Sequence, residues 1–215
     1  MASQGTPALF ELNQAAEANF PTEYGLFRIY GFEGKTGSKI EEAVVLIMGD
    51  LINEASGPPP LLRIHSQCLT GDVFHSLRCD CRAQLEIALR DIGAEGRGLI
   101  IYEHQEGRGI GLMNKLRAYE LQDHGADTVE ANEQLGFESD LRNYSLPGAI
   151  LHHLGIPAVR LLSNNPDKVK ALEDAGIRVT ERVPCIAVEH ESRRGYLETK
   201  RGKMGHLFDE STAAG

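Results

Sequence analysis

"LIIYEHQEGRGIGLMNKLRAYELQDHG", Leu99 to Gly125, is the stretch that decides the fold class. Its apolar start, "LIIY", is the continuous kind of strand found buried inside a sheet. A glycine-rich turn follows. Leu112, Leu116 and Tyr119 then recur at helical spacing until Gly125 closes the run. Strand, glycine turn and helix in that order make a βα unit.

The same grammar continues in both directions. Downstream, a strand-like piece precedes "SLPGAILHHLG", a helix with Ser145 as N-cap and Gly155 past its end. "AVRLLS" is a strand. "NNPDKVKALEDAG" is a helix with Asn165 as N-cap, Pro166 at its first position and Gly176 at its close. "IRVTERV" alternates like a strand. Upstream, "EEAVVLIMGDL" and Leu61–His65 read as strands, the second leaving a proline-rich loop. Leu85, Ala88, Leu89 and Ile92 share one helix face, ended by Gly96 and Gly98. Phe20 to Gly34 reads as extended chain turning at Pro21-Thr22. The expected class is α/β, with mixed β-sheets and flanking helices. Residues 1–19 read as an N-terminal extension, 20–208 as one domain and 209–215 as a tail.

A chain of 215 residues is long enough to bury roughly 70% of its unfolded surface without disulfide staples. No run approaches the roughly 20 apolar residues of a membrane helix. The N-terminus lacks the basic start and apolar run of a signal peptide, so a cytoplasmic location is expected. The net charge of −9 argues against a nucleic-acid coat but leaves room for one basic pocket.

Three of the four cysteines fall in "CLTGDVFHSLRCDC", Cys68 to Cys81. Disulfides are unexpected in a reducing compartment. The spacing Cys-x10-Cys-x-Cys suits zinc, which takes thiolates at about 2.3 Å in tetrahedral geometry. Three protein ligands would leave one position for water, as catalytic zinc requires. His75 lies inside the loop, and as a fourth ligand it would close the site. Spacing alone leaves open and closed equally served. Arg78 and Arg82 flank the pair and favour ionised thiols. Cys185, on the apolar "VPCIAV", reads as core.

Two turns offer themselves to anions. "QEGRGIGL", Gln105 to Leu112, leaves a strand and enters a helix, with Arg108 as a bidentate donor. It is neither a Walker A loop nor a clean GxGxxG, and on these residues alone an ordinary tight turn with a surface arginine is the better account. "SNNPDK" offers Ser163, a helix start and Lys168, although capping alone explains Asn165 and Pro166.

Taken together, "RIHSQCLTGDVFHSLRCDC", "YEHQEGRGIGLMNKLRAYELQDHGADTVEANEQLGF", "RLLSNNPDK" and "KMGHL" closely resemble GTP cyclohydrolase II, from about Phe20 to Leu207. The resemblance implies that fold and the opening reaction of riboflavin biosynthesis. GTP and water give formate, pyrophosphate and 2,5-diamino-6-ribosylamino-4(3H)-pyrimidinone 5′-phosphate, by attack of zinc-activated water on C8 of guanine. It implies one zinc per subunit on Cys68, Cys79 and Cys81 plus water, which makes His75 a non-ligand. It also implies Mg2+ on the triphosphate and a homodimer.

Site roles carry over onto matching positions. Arg63, Ile64, His65, Ser66 and Gln67 match the nucleotide-contacting strand end. Gln84 matches a base-contacting glutamine. Glu106, Gly107 and Arg108 match the nucleotide segment, Glu106 suiting guanine's N1–H and amine. Thr128, Ser163 and Lys168 match further GTP contacts. Asp140 and Arg142 match the family's proton acceptor and nucleophile, and Tyr119 an active-site tyrosine. A guanidinium is a poor nucleophile, so a milder role for Arg142 is charge stabilisation at the α-phosphorus. Without the resemblance, Asp140 and Arg142 would read as a surface salt bridge.

Gln67 stands where many members have a carboxylate, and Ser163 where threonine is common. Relatives lacking the tyrosine stop at a formamide, so Tyr119 favours full deformylation. Two other readings are a paralogue with an altered reaction, such as formamide formation or pyrimidine catabolism, and a zinc-stabilised nucleotide-binding module without chemistry.

Overall fold

The computed structural model describes residues 11–187 except 37, 53–56 and 139, together with 197, 200–202 and 205. The expectations for residues 1–10, for the tail at 209–215 and for most of "KMGHL" lie outside these.

The described elements are β1 (Glu11–Thr22), β2 (Gly25–Thr36), β3 (Lys39–Met48), β4 (Leu61–Ser66), α1 (Leu69–Asp72), α2 (Cys81–Glu95), β5 (Gly98–Glu103), α3 (Leu112–Asp123), α4 (Thr128–Gln134), α5 (Ser145–His153), β6 (Ala158–Leu162), α6 (Pro166–Asp174) and β7 (Arg178–Val183). One mixed sheet runs β1-β2-β3-β5-β4-β6-β7. β1, β2, β3 and β5 pair antiparallel; β5, β4, β6 and β7 pair parallel. The α/β class and mixed sheet expected from the sequence are present.

The inner parallel strands β4, β5 and β6 are short and largely buried because both faces are covered, whereas the edge strand β7 is mostly half-buried or exposed. Side chains alternate across the sheet. Leu62, Ile64, Leu99 and Ile101 face one core with Ile150 and Leu151 of α5 and Leu172 of α6. Leu61 and Ile100 face the other, with Ala88 and Ile92 of α2 and with Cys185. The parallel strands end on the same side, and β4 lies between β5 and β6. The chain leaves β4 toward β5 and then returns to β6 on β4's other flank. A crevice at such a switch point is the usual ligand site of α/β sheets.

Several expectations change. Residues 11–19 are not a tail but most of β1, which pairs with β2 along its length. Pro21 is tolerated there because β1 is an edge strand. The turn falls at Glu23-Tyr24 rather than Pro21-Thr22. Thr22 Oγ1 accepts from Tyr24 N at 3.1 Å and donates to Gly25 O at 2.9 Å, and Gly25 takes a φ of 128°.

The strand-like piece after Gly125 is instead the helix α4. Asp127 Oδ1 accepts from Val129 N and Glu130 N, and Glu130 Oε2 accepts from Asp127 N. This capping box was spelled by the spacing of Asp127 and Glu130. At α5, Ser145 is the first helical residue and not the N-cap: Tyr144 holds that position without a side-chain cap, and Asn143 Oδ1 accepts from Ser145 N at 2.8 Å in the turn before it.

Candidate active site

β4 and β5 run in parallel, so the segments that leave them emerge side by side. Cys68 follows the first and Glu106–Gly109 follows the second. α1 is a single turn that brings the chain around, and Cys79 and Cys81 return at the start of α2. The three sulfurs all lie within 4.8 Å of one another. Cys68 Sγ and Cys79 Sγ are 3.7 Å apart. Two sulfurs about 2.3 Å from one tetrahedral zinc stand about 3.8 Å apart, so the cluster has the dimensions of a zinc site.

Gly71 fits the same reading. A Cβ there would stand 2.8 Å from Cys79 Sγ and 3.1 Å from Cys68 Sγ. Among the described residues no histidine or carboxylate joins the three thiols. His75 takes a left-handed φ of 57° and turns its Nε2 to Arg82 Nη1 at 2.9 Å. It is therefore not a fourth ligand, and among the described residues the three thiols stand in the open arrangement.

The thiols do not ionise together unaided. Hydrogen bonds from Cys79 and Cys81 hold the Cys68 thiol well below its ordinary range. The Cys68 sulfur and burial push Cys79 up to about 11, and contacts with the Cys68 and Cys79 sulfurs, then burial, raise Cys81 well above its ordinary value. A divalent cation would let all three ionise. Lys115 already donates to Cys68 Sγ at 3.0 Å. Burial alone would lower the Lys115 ammonium, but the Cys68 thiolate and Glu106 carboxylate reverse this and keep it charged.

A cleft of about 520 Å³ opens over the thiols. It holds Ser66, Gln67, Glu106, Gly107, Arg108, Tyr119, Thr128 and Arg142, together with the three cysteines. Gly107 and Arg108 both take left-handed φ values, 63° and 61°. Strain of this kind in a non-glycine residue concentrates at functional sites. α3 forms one wall with Lys115, Ala118, Tyr119 and Gln122, which share one helix face. The apolar periodicity through Leu112 and Leu116 misjudged this helix. Leu116 is 43% exposed, and the face that matters points into the cleft.

A smaller polar pocket adjoins the cleft, sharing Ser66, Cys81 and Arg142 with it. It adds Arg63, His65, Gln84, Ser163 and Lys168. Lys168 is buried and donates to Ile64 O at 2.9 Å. Burial, then the nearby Arg63 and Arg142, press its ammonium well down. An anion entering here would relieve that crowding. Arg63 Nε and Ser66 Oγ are buried without a hydrogen-bond partner among the described residues, as expected of groups that await a polar ligand.

The fold therefore assembles nearly every residue named from the sequence, with three adjustments. Ile64 is fully buried in the core, so only its backbone is near the site. Glu106 is heavily committed: Leu69 N donates to Oε2 at 2.7 Å, and Gly107 N and Lys115 Nζ donate to Oε1 at 2.9 and 2.7 Å. That leaves Oε2 one acceptor direction for a base. Asp140 is bound side-on to Arg142, with Nε at 2.8 Å from Oδ1 and Nη2 on Oδ2. Burial would push the Asp140 carboxyl up, but Arg142 overrides it and holds the group below the usual range.

Three supporting residues were missed by sequence reasoning. Lys115 was hidden in a helix read for its apolar face. Asp72 anchors the loop that carries the thiols: its Oδ2 accepts from Cys68 N at 3.1 Å and from Tyr102 Oη at 2.8 Å, and its carboxylate accepts from His65 Nε2. Burial keeps His65 neutral, so this is a hydrogen bond and not an ion pair. Glu103 lies buried behind the site, its carboxyl pushed up to about 7 by burial.

Comparison with known proteins bears on the same residues. A sequence model of the family described as GTP cyclohydrolase II matches residues 13–184. The chain is 54% identical over 198 residues to GTP cyclohydrolase-2 of Actinobacillus succinogenes, covering 92% of this chain and 89% of that one. It is 56% identical over 193 residues to GTP cyclohydrolase-2 of Azotobacter vinelandii, covering 90% of each. Among solved structures, a two-domain 3,4-dihydroxy-2-butanone 4-phosphate synthase from A. baumannii aligns at 16% identity with a TM-score of 0.38, over 71% of this chain and 34% of that one, too remote to bear on the site. A thiol cluster of zinc dimensions, open to a cleft beside a strained glycine turn, thus sits in a chain that belongs to the GTP cyclohydrolase II family.

Proposed function

We propose that this chain hydrolyses GTP to 2,5-diamino-6-ribosylamino-4(3H)-pyrimidinone 5′-phosphate, formate and pyrophosphate, the first step of riboflavin biosynthesis. The observation that carries this reading is the placement of three clustered thiols, Tyr119 and Arg142 on one cleft. Zinc on Cys68, Cys79 and Cys81 would supply Lewis acidity and lower the pKa of water for attack at C8 of guanine. The remaining work falls to the protein's own groups.

The purine belongs over the thiols, in the cleft walled by α3. Tyr119 stands there with its hydroxyl on Thr70 Oγ1 at 3.1 Å, placed to move a proton during loss of the formyl group. The polyphosphate belongs toward Arg142 and the cationic pocket of Arg63 and Lys168, with Mg2+ offsetting its charge. There the anion would meet Ser163, whose hydroxyl replaces the threonine common in the family without loss of its hydrogen bond.

We infer that Arg142 stabilises charge at the α-phosphorus and is not the nucleophile. Its Nε and Nη2 are held by an ionised Asp140, an arrangement that fixes a guanidinium in place. A carboxylate below its ordinary range is a poor base for a group with a pKa above about 12. A homodimer in the cytoplasm completes the reading. Among the described residues, no helix is long and apolar enough to cross a membrane.

The test is incubation of zinc-loaded protein with GTP and Mg2+, followed by assay of formate, pyrophosphate and the diaminopyrimidine. All three are expected in equal amounts. A formylated product would indicate the altered reaction, and no turnover by metal-loaded protein would indicate the non-catalytic module. Rapid quenching should trap no guanylyl adduct; one on Arg142 would overturn the charge-stabilising role.

A further inference from the structure

Lys200 lies beyond the residues matched by the family model, which end at 184. It nevertheless lines the main cleft and is only 7% exposed. Its Nζ donates to Asp80 Oδ1 at 2.7 Å, across 120 positions of sequence. Asp80 is 2% exposed and is the single residue between Cys79 and Cys81.

The contact continues inward. Asp80 Oδ2 accepts from Gln84 Nε2 at 2.7 Å, and Gln84 Oε1 accepts from Arg63 Nη2 at 2.6 Å. Arg63 Nη1 in turn donates to Leu162 O at 3.0 Å. Four polar side chains thus form one buried chain from the thiol cleft to the cationic pocket. The chain also settles the orientation of the Gln84 amide. Its oxygen must face the guanidinium and its nitrogen the carboxylate. One N–H and one lone pair of Gln84 remain for a ligand.

Electrostatics explains why a lysine is needed at the outer end. A zinc on three thiolates leaves the cluster with a net negative charge. Asp80 adds another inside the same tight turn. A buried carboxylate without a counter-charge is strongly unfavourable, and beside thiolates more so. Lys200 supplies that counter-charge.

We propose that Lys200 is a positioning residue: by pairing with Asp80 it holds the Cys79–Cys81 turn in ligating geometry and, through Gln84, sets the donor and acceptor shown to the nucleotide. This rests on the reading of the cleft as a zinc and GTP site. In this role Lys200 acts through Asp80.

The experiment compares Lys200→Met, Lys200→Arg, Asp80→Asn and Lys200→Met/Asp80→Asn with the wild-type chain. Two quantities are read: the rate of zinc loss to a chromogenic chelator, and KM and kcat for GTP. Lys200→Met is expected to speed zinc loss and raise KM, each by ~10–100-fold, as for other groups that orient metal ligands. Lys200→Arg should restore most of both. The double variant should be no worse than the poorer single, because both changes cut one link.

Should Lys200→Met not fold, the double variant, which buries no lone charge, takes its place with the same expected zinc loss. Wild-type zinc retention and KM in a folded Lys200→Met protein would overturn the inference alone, as would strictly multiplicative effects in the double variant. Absence of zinc from the wild-type chain would overturn both the inference and the reading beneath it.

Discussion

Replacing Gly71 by alanine tests whether the thiol cluster is built around a metal. The added methyl would stand 2.8 Å from Cys79 Sγ, 3.1 Å from Cys68 Sγ and 3.2 Å from Cys81 Cβ. Favourable contact between such atoms begins at about 3.5 Å, so the closest approach is short by roughly 0.7 Å. In the metal-free protein a thiol can rotate away at modest cost. Once all three sulfurs are pinned to one ion, none can move without lengthening a metal bond.

The penalty should therefore appear in metal binding more than in folding. Overpacking by a single methyl typically costs about 1–3 kcal/mol. As a binding penalty this weakens zinc affinity by roughly 5- to 150-fold. The measurement is zinc affinity by chelator competition for wild type and Gly71→Ala at one pH, beside the melting temperature of each metal-free protein. Unchanged zinc affinity would refute the reasoning. A lower melting temperature with wild-type affinity would show that the glycine serves the scaffold and not the site.

Tyr119→Phe removes the hydroxyl bonded to Thr70 while leaving the ring over the cleft. Formate release should fall by ~100-fold or more, with ring opening and pyrophosphate release retained, so that a formylated product accumulates and is visible by mass. Formate yield equal to wild type would remove Tyr119 from the deformylation step. Glu103→Gln probes the buried acid behind the site. The Glu103 carboxyl is pushed up to about 7 in the fold from an ordinary 4.5, so between those values the folded state binds the extra proton. Stability from this group is full below pH 4.5, declines as pH rises to about 7, and is flat above. The glutamine variant should lack that decline and gain up to roughly 3 kcal/mol on wild type above pH 7. Parallel melting-temperature profiles for the two proteins across this range would contradict the assignment.

Much of the site was legible because its chemistry is local in sequence. Cys68, Cys79 and Cys81 lie within one loop, and a C-x-C turn cannot separate its sulfurs far. The glycine turn at Glu106–Gly109 and the capped start of α6 were likewise readable, since φ above zero and helix caps demand particular residues. Where reading failed, a local pattern was either overlooked or overridden. The capping box of α4 stood in plain view in "DTVE". The face of α3 could not be read, because apolar spacing reports amphipathicity and not which neighbour a helix meets. β1 looked like a tail, since an edge strand with nearly every side chain in solvent carries no alternation.

The sequence by itself determined most of the alternation of strands and helices, the clustering of three thiols and the two glycine- or cap-bearing turns, all of which depend on residues a few positions apart. Only the tertiary structure decided what those parts face. Parallel pairing of β4 with β5 sets the thiols beside the strained arginine turn, and Asp140 locks Arg142. Lys200 comes from 120 positions away to meet Asp80. The physical reason is range. Backbone conformation and capping are governed by near neighbours, whereas charge compensation and cleft formation depend on which distant segments the buried sheet brings into contact.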